Sequence, residues 1–218
     1  MVSLIGLTSR RKTVRMSSED EVASICPACN KGKLRIQSML YSVPFFNELA
    51  MFNMECPECG FRHSDVFSAE QRKPSRFTMH VDDVSHLNIR VVRSGSCTYR
   101  FPEWGIDVEP GPMAESFITN IEGLLYRVCS VIETAANFAD EESEKERAYE
   151  ILGQMELALK GDFPFTLVME DPAGVSGILP DDMTLVKYEE LSIGEASKLK
   201  GAPFWVDTLR EDYSEHKG

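Results

Sequence analysis

Short stretches in which apolar and polar residues alternate run through most of this 218-residue chain, and they predict β-strands. Leu34, Ile36, Ser38 and Leu40 occupy one side of such a stretch, and Met51 to Glu55 and Phe61 to Phe67 continue the pattern. Further strands are expected at Leu87–Arg93, Thr98–Phe101 and Ile106–Val108, punctuated by Gly95, Pro102, Gly105, Pro110, Gly111 and Pro112. The period then lengthens. Ile121, Leu124, Leu125, Val128 and Ile132 recur at helical spacing and form one apolar stripe. Thr119 followed by Glu122 reads as a capping box at its start. A second helix is expected to open at Asp140, turn Ile151, Leu152, Met155 and Leu159 inward, and stop at Gly161. Strand character returns at Phe165–Met169, Gly177–Leu179 and Met183–Tyr188. The pattern predicts a mainly β fold holding a helical hairpin near residues 117–160.

Four cysteines divide the chain further. Cys26 and Cys29 are separated from Cys56 and Cys59 by a spacer of 26 residues, which marks residues 23–70 as a small module. Residues 1–22 carry Arg10, Arg11, Lys12 and Arg15 and read as a flexible basic tail. Residues 71–195 hold the main β domain, and 196–218 read as a C-terminal tail. At 43% hydrophobic and 9% aromatic residues, the chain can bury a sizeable core. Apolar runs such as Phe163–Met169 fall well short of the ~20 residues that span a bilayer. No secretory signal is read between Met1 and Arg15, so a cytoplasmic, reducing location is expected, where paired cysteines bind metals more often than they form disulfides.

The net charge of −12 is unevenly spread. Residues 1–105 carry 14 Lys and Arg against 11 Asp and Glu, whereas residues 106–218 carry 9 against 24. The acidic second half repels a phosphate backbone and suits a basic partner surface or simple solubility.

The two cysteine pairs, Cys26-Pro27-Ala28-Cys29 and Cys56-Pro57-Glu58-Cys59, carry the chemistry. Two intervening residues let a tight turn present both sulfurs to one tetrahedral ion at about 2.3 Å. Proline pre-sets each turn, and Gly32 and Gly60 permit the backbone just beyond. Four thiolates leave no open position for water, so one structural zinc ion is expected at Cys26, Cys29, Cys56 and Cys59. A redox dithiol and an iron site with the same sulfurs compete with that reading, as does His63 in place of one sulfur. Cys97 and Cys129 fall in strand and helix patterns and read as buried structural thiols.

Other patterns fail as active sites. His63-Ser64-Asp65 and His80-Val81-Asp82 each give half of an iron-binding facial triad, but no distant histidine in a folded region completes it. Gly174-Val175-Ser176-Gly177 is one residue short of a nucleophile elbow. No phosphate loop or dinucleotide fingerprint occurs, and the chain is not expected to be an enzyme.

Three stretches, taken in order, resemble the ZPR-type zinc-finger protein family, whose members associate with translation elongation factor 1-alpha. They are the cysteine quartet with Val43-Pro44-Phe45-Phe46-Asn47-Glu48 between its pairs, the run Phe117 to Leu125, and the turn Glu170-Asp171-Pro172-Ala173-Gly174. The resemblance covers about residues 24–192. It implies a zinc ribbon followed by a β-helix-like all-β domain, and an adaptor or chaperone that binds elongation factor 1-alpha. It also implies partner contacts at Phe45, Phe46, Asp171, Pro172 and Gly174. Eukaryotic members carry the module twice in tandem; it occurs once here, as in archaeal relatives. The chain departs from the family at Val175, where asparagine is usual, and at Gly177, where an aromatic residue is common.

Phe45, Phe46, Leu49, Met51, Phe52 and Met54 exceed what so small a module easily buries, so part of this set is expected to form a binding patch. The rival reading is a nucleic-acid-binding ribbon using Arg10, Arg11, Lys12, Lys31, Lys33, Arg35 and Arg62, with Phe45 or Phe46 as stacking platforms. The −15 second half argues against it.

Overall fold

The computed structural model describes residues 14–16, 25–43, 47–68, 72–111 and 114–201. It divides into two compact units, Met1–Ala69 and Glu70–Gly218. Phe45 and Phe46 lie outside the described residues, as do 202–218 and most of the segment expected as a basic tail.

The first unit is one antiparallel sheet in the order β1 (Val14–Met16), β2 (Arg35–Val43), β3 (Asn47–Glu55) and β4 (Arg62–Ser68). Three residues of the expected tail therefore pair with β2, Val14 lying opposite Tyr41. Alternation sorts the side chains of β3. Leu49 and Met51 are buried at 0% and 8% exposure, beside Val66 of β4, while Phe52 and Met54 are half-buried. Of the apolar set expected to spill onto the surface, none of these four described members is exposed.

The second unit holds two sheets, and every pairing in them is antiparallel. The strands are β5 (Ser75–Val81), β6 (Arg90–Arg93), β7 (Thr98–Phe101), β8 (Ile106–Val108), β9 (Phe117–Asn120), β10 (Phe165–Asp171), β11 (Gly177–Leu179) and β12 (Val186–Glu190). One sheet runs β12-β5-β10-β7-β8 and the other β11-β6-β9. The sequence pattern missed β5, although Ser75, Phe77, Met79 and Val81 alternate inward along it. It also ran two strands too early: Val84–Asn88 and Met183–Leu185 are 3-10 turns, each capped by an aspartate (Asp83, Asp182).

The helical hairpin stands between β9 and β10 as α1 (Ile121–Phe138) and α2 (Glu142–Lys160), followed later by a single turn α3 (Ile193–Ala196). Ile121, Leu124, Leu125 and Val128 of α1 and Met155 of α2 are buried, as the stripe requires. The cap of α1 is corrected by one residue. Asn120 accepts from the Gly123 amide at 2.8 Å, because Thr119 is held in the β9 ladder opposite Val91. Gly161 ends α2 in the left-handed region at φ +84°, its amide bonded to Ala158.

Two buried charged groups of this unit, Glu170 and Arg93, are paired, whereas Ser75 Oγ, Arg93 Nε and Trp104 Nε1 are buried without a hydrogen-bond partner among the described residues. Glu170 is 5% exposed and bridges Arg76, whose Nε donates at 2.8 Å, and Arg100, which also reaches Asp107 at 3.3 Å. Arg93, equally buried, donates to the carbonyls of Glu115 and Cys97 at 2.7 and 3.2 Å. A buried carboxylate between two arginines is costly to remove, because Arg76 loses this partner and Arg100 keeps only the exposed Asp107. Glu170→Ala is expected to destabilise the protein by roughly 2–3 kcal/mol, less than for fully buried partners because both arginines are part-exposed. Urea unfolding monitored by tryptophan fluorescence measures it, and an unchanged midpoint refutes the role.

Candidate metal centre

Register explains why cysteines so far apart in sequence meet. Arg35 opens β2, Glu55 closes β3 and Arg62 opens β4, and the three lie side by side in the ladder. The turns before β2 and between β3 and β4 therefore leave the same end of the sheet. The 26-residue spacer is the length of a strand out, a turn and a strand back.

The two turns are built alike. The Cys26 amide donates to the Gly32 carbonyl at 2.8 Å, and the Cys56 amide to that of Phe61 at 2.8 Å. Asn30 donates back to Cys26 at 2.9 Å, and Gly60 to Cys56 at 3.0 Å. The fourth residue after each leading cysteine then takes positive φ, +54° at Asn30 and +74° at Gly60. Gly32 is required by space instead. A Cβ there would lie 2.5 Å from Cys56 Sγ and 2.9 Å from Glu58 Cγ.

The four sulfurs lie within 4.8 Å of one another and are the only cluster of three or more potential metal donors among the described residues. Cys26 and Cys59 are 3.7 Å apart, Cys29 and Cys56 3.8 Å. A zinc ion bonded at 2.3 Å to four tetrahedral sulfurs holds them about 3.8 Å apart, so the donor set suits one zinc ion. Cys26, Cys56 and Leu34 form a buried cluster, with Cys29, Ile36, Met54 and Phe61 packed against it.

Electrostatics point the same way. The amides of Gly32 (3.4 Å from Sγ) and Lys31 lower Cys29 to about 6. Cys59 receives the Phe61 amide as well, but desolvation and the three neighbouring sulfurs outweigh it and push that thiol up to about 12. The cluster does not carry four negative charges without a cation at its centre.

Two family models match the chain. One described as the ZPR1 zinc-finger domain covers residues 21–74, and one described as the ZPR1 jelly-roll domain covers residues 85–193. The chain belongs to the ZPR1 family. A ZPR1-like protein of Methanocaldococcus jannaschii is 38% identical over 176 residues, covering 80% of this chain and 87% of that protein. A ZPR1-like protein of Pyrococcus horikoshii is 37% identical over 185 residues, covering 83% and 82%. The zinc finger chaperone zpr1 of Schizosaccharomyces pombe is 33% identical over 168 residues, which are 72% of this chain but 34% of that protein. The second family match gives the expected β-helix-like domain its form: a jelly roll of two antiparallel sheets that do not close.

The ZPR1-type turn at Glu170 to Gly174 lies in the second unit, and the structure turns its aspartate inward. Asp171 is 1% exposed. Oδ1 accepts from Ser96 Oγ at 2.6 Å and the Ala173 amide at 2.9 Å. Oδ2 accepts from Ser94 Oγ and the Val175 amide at 2.9 Å, and from the Ser176 amide and Oγ at 2.7 Å. Asp171 thus ties the end of β10 to the β6–β7 loop. Gly174, at φ +67°, has no room for a side chain, since a Cβ would meet the Lys73 carbonyl oxygen at 2.2 Å. Sequence reasoning missed Ser94 and Ser96 altogether. Ser176, in a run one residue short of a nucleophile elbow, is 1% exposed and donates to Asp171. Neither His-x-Asp pair joins a metal-donor cluster among the described residues; His80 Nδ1 lies 3.5 Å from Thr166 Oγ1, and Asp82 lies 3.3 Å from His86.

Two outcomes test these assignments. Gly32→Ala is expected to lower zinc affinity and to raise the pH at which zinc is lost. Protons compete with the ion for thiolates, so retention falls as pH falls; a chromogenic chelator titrated across pH reads it. Asp171→Ala leaves six donors without their acceptor and is expected to cost at least about 3 kcal/mol. Thermal unfolding measures that loss, with zinc content unchanged.

Proposed function

We propose that Cys26, Cys29, Cys56 and Cys59 ligate one structural zinc ion, and that the chain is a binding protein of chaperone type whose client is elongation factor 1-alpha. The observation that supports it is the closed donor set: four sulfurs satisfy a tetrahedral ion and leave no position for water or substrate. Zinc bound there would fix the geometry of the two turns, and the chain's own residues would do the recognition.

The client is inferred from the family. The S. pombe relative is named a zinc finger chaperone, and the relatives of mouse, cow and human are named zinc finger proteins. Elongation factor 1-alpha enters through the resemblance of the cysteine quartet, the Phe117–Leu125 run and the Asp171 turn. Asp171 and Gly174 would serve a partner by holding the turn in which Pro172 is buried and only Ala173 is half-buried, since none of Asp171, Pro172 and Gly174 offers a free side chain. Phe45 and Phe46 would add apolar contact from the β2–β3 connection. A cytoplasmic, non-enzymatic role is part of the same reading. No described helix is long and apolar enough to cross a membrane.

One feature favours the nucleic-acid reading: Lys31, Lys33, Arg35 and Arg62 are all exposed around the cysteine turns, Arg62 pairing with Glu55 at 3.0 Å. Salt separates the two readings. Affinity purification of the tagged chain from its own host is expected to retain elongation factor 1-alpha at moderate salt. RNA retained in its place, with binding that weakens steeply as salt rises, would sink the client assignment. Native mass spectrometry is expected to find one zinc per chain, and Cys56→Ser to lose it and to unfold the first unit.

A further inference from the structure

The four sulfurs are not equally protected. Cys26 and Cys56, the leading cysteine of each pair, are 0% exposed. Cys29 is half-buried and packs against the apolar cluster. Cys59 is exposed and lies outside that cluster. Sulfurs of different turns lie close together, Cys59 facing Cys26 at 3.7 Å and Cys29 facing Cys56 at 3.8 Å. One cysteine of the four is therefore open to solvent, and a buried cysteine of the other turn has its sulfur 3.7 Å away.

We propose that Cys59 is the oxidant-reactive sulfur of the centre and Cys26 its resolving partner, so that hydrogen peroxide releases zinc from this one corner. The proposal rests on the four cysteines being the zinc ligands. Thiolate character and access decide which cysteine a peroxide oxidises, and only Cys59 combines a ligand thiolate with open access. Its sulfur attacks one peroxide oxygen, the O–O bond breaks, hydroxide leaves and a sulfenic acid forms. The Cys26 thiolate then attacks the Cys59 sulfur, the S–O bond breaks and a second hydroxide leaves as the disulfide closes. Two sulfurs have lost one electron each, peroxide has gained two, and the buffer's acid form protonates both hydroxides to water. Cys29 and Cys56 remain as the only two thiolates, too few to hold a tetrahedral ion.

The remaining cysteines do not compete. Cys97 is fully buried, and burial pushes its thiol up. Cys129 is half-buried against Met155 at 3.8 Å, and desolvation raises it as well. Both stay protonated at neutral pH and react slowly.

The test uses the full zinc-loaded chain, one equivalent of hydrogen peroxide, a chromogenic zinc chelator and a sulfenic-acid trap, with peptide mass spectrometry. Zinc content is measured first; a chain that carries none defeats the ligand assignment before any oxidant is added. With zinc present, the expected results are trapped sulfenic acid on Cys59, a Cys26–Cys59 disulfide without the trap, and stoichiometric zinc release that a reductant with added zinc reverses. Trapping first on Cys29 or evenly over the four, a Cys56–Cys59 disulfide, or peroxide consumed with zinc retained would each overturn the proposal while leaving the zinc site standing. Limited alkylation by iodoacetamide gives an independent check, in which Cys59 is expected to label ahead of the other three.

Discussion

Four thiols converge because Arg35, Glu55 and Arg62 sit side by side in an antiparallel ladder, which puts both cysteine turns at the same end of one sheet. The segment from Cys26 to Cys59 has 34 residues, fewer than the ~40 at which an unassisted core usually suffices. The apolar cluster at the cysteine end is small, and two of its three buried members are themselves cysteines, while Leu49, Met51 and Val66 are buried further along the sheet. Zinc held by these cysteines would join metal ligation to core formation in this unit, and structural zinc supplies on the order of 10–16 kcal/mol in such modules. The uneven exposure of the sulfurs follows from the same economy, since a core this small has too few side chains to enclose four ligands.

The second unit meets the same difficulty of internal charge without a metal. Its strands place Glu170 between Arg76 and Arg100, and Asp171, the next residue, among three serines and three backbone amides. Successive residues of β10 face opposite sides, so one carboxylate is satisfied by cations and the other by neutral donors. Both arrangements leave the charge compensated, and Asp171 shares its face of β10 with the buried Phe165, Leu167 and Met169.

Much of the architecture was legible in the sequence where a local rule governs it. The 3.6-residue stripe of α1 is buried as its spacing requires, and Gly161 stops α2 because only a left-handed residue closes that turn. The misreadings have different causes. Asn120 caps α1 in place of Thr119 because strand pairing with Val91 holds Thr119, a constraint from a distant segment. β5 escaped notice because Ser75, Arg76, Thr78 and His80 dilute its apolar residues, although it lies between β10 and β12.

The sequence by itself determined the donor set and its turns. Two residues between cysteines, proline within each pair, and Asn30 or Gly60 where φ turns positive are local geometry, and local geometry is written in neighbouring residues. What only the tertiary structure decided is which groups are enclosed and by what. Asp171 reads from sequence as a residue of a partner-facing turn, yet it is buried because Ser94 and Ser96, more than 70 positions earlier in the chain, come to rest on it. Cys59 reads as the equal of the other three cysteines, yet it alone is exposed. Burial depends on which strands become neighbours, and that choice is made by register across the whole sheet rather than by the residues on either side.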